Sequence, residues 1–168
     1  ILWGTAELVR WNALDGQQLE GILYKPENFD PSKKYPMIVY FYEKYSSDLY
    51  RFYTPTPSYS TVNFPYFVSN GYLVFVPDIT YKAGYPGRCA ENAIISGTLA
   101  MIDKGFVDPK AIGIQGQSWG GYQTAYLITQ TDLFAAAGAG APVSNMTSAY
   151  GGVRWESGRS RAPPVSYT

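Results

Sequence analysis

Short apolar runs alternate with amphipathic stretches along most of this chain, and glycine or proline marks the boundaries between them. The runs at 9–11 and 19–24 flank an Asp15-Gly16 turn, which predicts a β-hairpin at the front of the chain. Later apolar runs predict buried strands at 37–42 and 72–77, a short strand at 111–114 and a strand of small residues at 134–139. Helical periodicity and end signals predict helices at 65–69, 91–104 and 120–129. This alternation is typical of an α/β fold with a mostly parallel sheet.

The composition is that of one globular domain, with 46% hydrophobic and 15% charged residues in a chain of 168. Thirteen basic and thirteen acidic residues cancel, so the chain has no basic field for a nucleic acid or an anionic membrane. No apolar run approaches the ~20 residues of a spanning helix. The single cysteine, Cys89, is predicted in a loop and allows neither an internal disulfide nor a metal cluster. We expect no nucleic-acid or membrane partner, no metal and no other cofactor.

Histidine is absent from the sequence, which removes the commonest general base and the commonest transition-metal ligand. The chain opens at Ile1 and not at a Met, and because no basic stretch followed by an apolar run stands there, we expect no signal peptide in this sequence. Residues 161–168 have neither a helical nor a strand period. We therefore expect a fragment of a longer protein.

One motif carries candidate chemistry. Gly116-Gln117-Ser118-Trp119-Gly120 fits the G-x-S-x-G pattern of a nucleophile elbow, in which a sharp turn lifts a serine hydroxyl above the carboxyl edge of a sheet. The motif lies between a predicted strand and a predicted helix, as an elbow requires. Its glycines have a steric reason, because side chains two positions before and after the serine would collide across the turn. The alternative is an ordinary strand-to-helix loop with a helix-capping serine.

Gly-Gln-Ser-Trp-Gly-Gly-Tyr at 116–122 resembles the elbow of the prolyl oligopeptidase family of serine peptidases, including its dipeptidyl peptidase branch. Four further stretches resemble the family in the same order: 34–36, 84–87, 104–110 and 141–144. The resemblance covers roughly residues 9–152. It implies an α/β-hydrolase catalytic domain, with a mostly parallel sheet and helices on both faces. It also implies a preceding β-propeller that restricts access to short peptides.

The resemblance implies roles for particular residues. Ser118 would be the nucleophile, and the backbone N–H of Trp119 would be one donor of the oxyanion hole. A tyrosine hydroxyl would be the other donor, and counting from the Tyr35-Pro36 pair assigns it to Tyr42, with Tyr40 as the alternative. Glu43 and Lys44 stand where the family usually has glycines.

The substrate pocket is expected after the strand that follows the elbow helix. In the family this region lines the pocket for the residue before the scissile bond, and here it contains Val143, Met146 and Tyr150. Plain core packing is the alternative for these three residues. Asp78, at the end of a predicted strand, is expected to tie its loop by hydrogen bonds.

The triad of this fold runs serine, acid, histidine in chain order. No histidine follows Ser118, Asp132 is too near the elbow helix, and Glu156 precedes the strand that should carry the acid. We therefore predict one partial α/β-hydrolase domain over 1–168 that lacks its last strands. Residues 1–34 form a front hairpin and loop, and 35–152 form the αβ core. The N-terminal propeller and the C-terminal triad region are expected to be absent.

The predicted function is that of a serine peptidase. It would hydrolyse short peptides through an acyl-enzyme on Ser118 in the full-length protein and would be inert as this fragment. Two alternatives stay open. One is an esterase or acyl-peptide hydrolase of the same fold, because fold does not fix substrate. The other is a non-catalytic, hydrolase-like binding domain.

Overall fold

A mixed six-stranded sheet forms the centre of the protein. The structure is a computed structural model and describes residues 2–56, 60–153 and 156–158. The strands in chain order are β1 Thr5–Asn12, β2 Gln18–Lys25, β3 Tyr35–Tyr40, β4 Leu73–Pro77, β5 Val107–Gln117 and β6 Ala136–Gly140. They lie side by side in the order β1-β2-β4-β3-β5-β6.

The pairing confirms a mostly parallel sheet extended by an antiparallel hairpin. Strands β4, β3, β5 and β6 are parallel neighbours. Strand β2 runs antiparallel to both β1 and β4. The turn between β1 and β2 has Gly16 at φ +83°, a conformation that glycine adopts without steric cost. Since parallel strands end at a common edge, the residues that follow β3, β4, β5 and β6 meet along one rim of the sheet.

Helices cover both faces of the sheet, as predicted. They are α1 Phe64–Ser69, α2 Pro86–Asp103, α3 Trp119–Leu127 and α4 Met146–Gly151, with a short 3₁₀ turn at Ser46–Asp48. Along β4, Leu73 and Phe75 pack into a cluster with α2 and α3. The alternate residues, Val74 and Val76, pack into a second cluster with α1. Because successive strand side chains point to opposite faces, α1 lies across the sheet from α2 and α3.

The helix α2 begins five residues before its predicted start. Pro86 occupies its first turn, where the missing N–H costs nothing and the fixed φ suits a helix. Cys89 therefore lies in this helix, and the prediction of a loop there was wrong. Its Sγ accepts a hydrogen bond from the Lys82 N–H at 3.1 Å. The short helix α4 was not predicted.

The strand β5 is also longer than predicted, and its added part is irregular. Its register against β3 shifts between Tyr35 and Met37. Pro109 lies in this stretch and has no N–H to donate to the ladder. Regular pairing resumes at Ile112, which accounts for the shorter strand that the apolar pattern predicted.

The described residues form neither a candidate membrane-spanning helix nor a candidate metal site. None of the helices they form is long and apolar enough to cross a membrane. Within the same ranges, no group of three or more His, Cys, Asp or Glu side chains could hold a metal ion.

Candidate active site

Ser118 lies between the last residue of β5 and the first residue of α3, where an elbow requires its nucleophile. Its backbone has φ 59° and ψ −107°, a conformation that is costly for a residue with a side chain. Its N–H donates to the carbonyl of Gly140 at 2.8 Å, and its carbonyl accepts from Tyr122 N at 3.1 Å and Val143 N at 3.3 Å. These bonds hold the strained residue from both β6 and α3.

The glycines of the motif permit this turn because backbone segments meet where their side chains would be. A Cβ atom on Gly116 would lie 2.3 Å from the carbonyl oxygen of Gly120. One on Gly120 would lie 2.5 Å from the carbonyl oxygen of Phe41, and one on Gly121 would lie 2.7 Å from that of Gly140. The expected collision across the turn is confirmed. Because these positions are glycines, the start of α3 can pack closely against the ends of β3 and β6.

Tyr42 follows β3 and lies half-buried at the rim of the sheet. Its Cα would be 3.9 Å from a Cβ atom on Gly120, so its backbone borders the elbow directly. Tyr40 is 5% exposed and belongs to the cluster beneath α1. The ring centroid of Tyr40 is 5.6 Å from that of Phe64, and burial raises the pKa of the Tyr40 hydroxyl. This geometry favours Tyr42 over Tyr40 as the oxyanion donor.

Trp119 begins α3, so its N–H belongs to the first turn of that helix, where the helix dipole favours negative charge. Its side chain is 5% exposed. The indole stacks on Tyr122 with ring centroids 5.0 Å apart and an interplanar angle of 19°. Burial and stacking on Tyr122 thus fix Trp119, the residue after the proposed nucleophile.

The hydrogen bonds from Tyr81 and Gln123 that hold the Tyr42 carbonyl were not predicted from the sequence. The hydroxyl of Tyr81 donates to the Tyr42 carbonyl at 2.8 Å. The buried Gln123 amide donates to the same carbonyl at 3.4 Å and also to the Tyr81 hydroxyl. Tyr81 comes four residues after β4, so its place on the common rim was foreseeable, although its partners were not.

Asp78 forms hydrogen bonds to a loop as expected, but the loop it ties is the one that follows β3 and not its own. Its side chain is buried, and its Oδ1 accepts from the N–H groups of Tyr45 at 2.6 Å and Ser46 at 3.0 Å. A carboxylate that accepts two backbone N–H bonds is well satisfied in a buried position. Asp78 therefore anchors the segment that continues from Tyr42.

The predicted pocket residues are only partly brought together. Val143 is half-buried, and its N–H bonds the Ser118 carbonyl. Met146 is 38% exposed on α4, which is a poor fit to plain core packing. Tyr150 belongs to α4, but its side chain lies outside the described part of the chain. The pocket assignment of these three residues stays a prediction.

Comparison with known proteins agrees with this architecture. Residues 57–161 match the model of the prolyl oligopeptidase family. Dipeptidyl peptidase 8 of Homo sapiens is 28% identical over 151 residues, which are 82% of this chain and 17% of that protein. Dipeptidyl-peptidase 5 of Porphyromonas endodontalis is 32% identical over 133 residues, which are 70% of this chain and 18% of that protein.

The solved structure of a puromycin-hydrolyzing peptidase from Mycobacterium tuberculosis shares the fold. It superposes with a TM-score of 0.70 at 24% identity, over 92% of this chain and 25% of its own. The sheet and the elbow define a chain of the α/β-hydrolase class. It belongs to the prolyl oligopeptidase family. The chain spans about a fifth of the length of the curated relatives it matches.

Gly116 and Gly113 of β5 should respond differently to substitution by alanine. Gly116→Ala should destabilise the fold by about 1–3 kcal/mol, because its new methyl group overlaps fixed backbone atoms. Gly113→Ala is the matched control, since its Cβ would be 3.6 Å from the nearest atom. It should be neutral or stabilising by up to about 1 kcal/mol. Thermal denaturation followed by circular dichroism measures both. Equal melting temperatures for the two variants would contradict the close approach at the elbow.

Proposed function

We propose that this chain forms the nucleophile-bearing part of a serine peptidase catalytic domain. The observation that carries the proposal is the strained Ser118 at a strand-to-helix elbow in a chain of this family. In the proposed reaction, the Ser118 Oγ forms a bond to the carbonyl carbon of a peptide. The C–N bond then breaks, and the serine proton passes through a general base to the leaving amine. Water hydrolyses the ester and releases the free acid.

The oxyanion of the tetrahedral intermediate is proposed to bind two donors. One is the Trp119 N–H at the start of α3, and the other is the Tyr42 hydroxyl. Fixed donors of this kind stabilise charge as it develops and need no reorganisation during the reaction. The support from this chain is that Tyr42 and Trp119 flank the elbow on elements held by buried contacts.

The general base is proposed to come from outside these 168 residues, because the sequence contains no histidine. The strand β6 supports a longer catalytic domain. Four of its five residues are exposed, whereas strands of parallel sheets are ordinarily buried on both faces. We propose that a further part of the same domain covers them and supplies the histidine and its acid. We also propose an N-terminal β-propeller, with short peptides as substrates.

Ser118 should be the residue that a fluorophosphonate probe modifies in the full-length peptidase. Intact-mass and peptide-mapping spectrometry should find one adduct, on Ser118, and Ser118→Ala should remove both the adduct and peptide turnover. The control is Ser144→Ala, which changes an exposed serine of the neighbouring loop and should leave both intact. Labelling that persists in Ser118→Ala would refute the assignment of the nucleophile.

Tyr42→Phe should lower kcat in the full-length peptidase by about 10²- to 10³-fold with little change in KM, because one oxyanion donor is lost. Tyr40→Phe is the matched control. It should lower the melting temperature, since that hydroxyl is buried, but leave kcat within about twofold of wild type. Steady-state kinetics and thermal melts test the pair. A large kcat loss in Tyr40→Phe, with none in Tyr42→Phe, would transfer the role to Tyr40.

The 168-residue chain alone should show no turnover of proline- or alanine-linked chromogenic peptides. A serine hydroxyl is a weak nucleophile without a positioned base. Oxyanion-hole and binding effects alone give about 10³- to 10⁴-fold over water, which an ordinary assay does not detect for a peptide bond. The matched protein is the full-length peptidase under the same conditions. Turnover by the isolated chain that Ser118→Ala abolishes would contradict the proposal that the base lies elsewhere.

A further inference from the structure

The Tyr81 hydroxyl lies where three segments of the proposed site meet. It donates to the Tyr42 carbonyl at 2.8 Å and accepts from the Gln123 amide of α3. The ring centroids of Tyr81 and Trp119 are 6.4 Å apart. Tyr81 therefore links the loop after β4 with both residues that carry the proposed oxyanion donors. This inference rests on the proposed function.

The Tyr81 hydroxyl donates one hydrogen bond to the Tyr42 carbonyl and accepts one from the Gln123 amide. One donated and one accepted bond thus tie this phenol to protein groups on two other segments. Burial raises the pKa of the Tyr81 hydroxyl, and the neighbouring side chains of Trp119 and Gln123 oppose part of that rise. A tyrosine hydroxyl is protonated at neutral pH in any case, so it can donate to the Tyr42 carbonyl.

The hydrogen bond from Tyr81 holds the backbone carbonyl of Tyr42, and the backbone of Tyr42 sets the direction of its phenol side chain. Tyr42 lies beyond the last residue of β3, where the pairing of that strand with β4 and β5 has ended. Tyr81 and Gln123 hold the Tyr42 carbonyl there. Rotation of this peptide unit would swing the Cα–Cβ bond of Tyr42 and carry the phenol away from its place.

We propose that Tyr81 is a positioning residue, which fixes the Tyr42 backbone and thereby aims the Tyr42 hydroxyl at the oxyanion. Tyr81 is not proposed to touch the substrate, because its hydroxyl is hydrogen-bonded to the Tyr42 carbonyl and to the Gln123 amide. A misplacement of about 1 Å in a catalytic group can cost about 10²-fold in rate. Loss of the Tyr81 hydroxyl should therefore reduce turnover without removing any group that touches substrate.

The test is Tyr81→Phe in the full-length peptidase, which keeps the ring and deletes the hydroxyl. We expect kcat to fall about 10- to 100-fold, with KM changed less than about threefold. Binding of a peptidyl trifluoromethyl ketone, which forms a tetrahedral adduct with the serine, should weaken by the same factor as kcat/KM. A role in stability alone would lower the melting temperature without this selective loss of transition-state binding.

Tyr85→Phe is the matched control, because it removes a hydroxyl from the same loop. The Tyr85 side chain is exposed, and its ring contacts the cations of Lys82 and Arg88. We expect kcat, KM and inhibitor affinity in this variant to stay within about twofold of wild type. A loss equal to that of Tyr81→Phe would show a general sensitivity of the loop and overturn the proposal.

A double-mutant cycle tests whether Tyr81 acts through Tyr42. In the Tyr42→Phe background there is no phenol hydroxyl to aim, so adding Tyr81→Phe should lower kcat by no more than about threefold. If Tyr81→Phe lowered kcat in that background by as much as it does in the wild-type enzyme, the proposal would be overturned. A folded Tyr81→Phe enzyme with wild-type kcat would overturn it as well. Both outcomes are distinct from failure of the proposed function, in which Ser118→Ala itself would keep turnover.

Discussion

The backbone strain at Ser118 is the constraint on which the rest of the site depends. A residue with a side chain holds φ 59° here only because the surroundings fix it. The Gly140 carbonyl binds its N–H, and Gly116 and Gly120 remove the atoms that would collide across the turn. In return, the elbow sets the start of α3 and the position of the proposed nucleophile above the sheet. The strain is thus stored at the point where the reaction is proposed to occur.

The parallel topology gathers the remaining groups. Tyr42 follows β3, Asp78 and Tyr81 follow β4, and Ser118 follows β5. Because these strands end at one rim, residues far apart in sequence meet without long connecting loops. Hydrogen bonds then lock neighbouring segments together: Asp78 holds the segment after Tyr42, and Tyr81 holds Tyr42 itself. Rigid placement of donors is what catalysis by charge stabilisation requires.

Much of this arrangement was predictable from local patterns. The uniformly apolar strands, the Asp15-Gly16 turn and the glycines around Ser118 follow from periodicity and sterics, which act over a few residues. The early start of α2 was missed, although Pro86 is a helix-start signal. The burial of Tyr40 beneath α1 and the network of Tyr81 could not be predicted, because both depend on which side chains the folded sheet brings together. Hydrogen-bond partners separated by about forty residues leave no periodic trace in a sequence.

The central claim is that the carbonyl oxygen of a substrate bound to Ser118 lies between the Trp119 N–H and the Tyr42 hydroxyl. A crystal structure of the full-length peptidase with a peptidyl trifluoromethyl ketone tests this most directly. We expect a covalent bond from the Ser118 Oγ to the ketone carbon. The resulting oxyanion should lie about 2.7–3.1 Å from both donors, with Tyr81 still bonded to the Tyr42 carbonyl. An adduct on another residue, or an oxyanion bound by neither Tyr42 nor Trp119, would contradict the account.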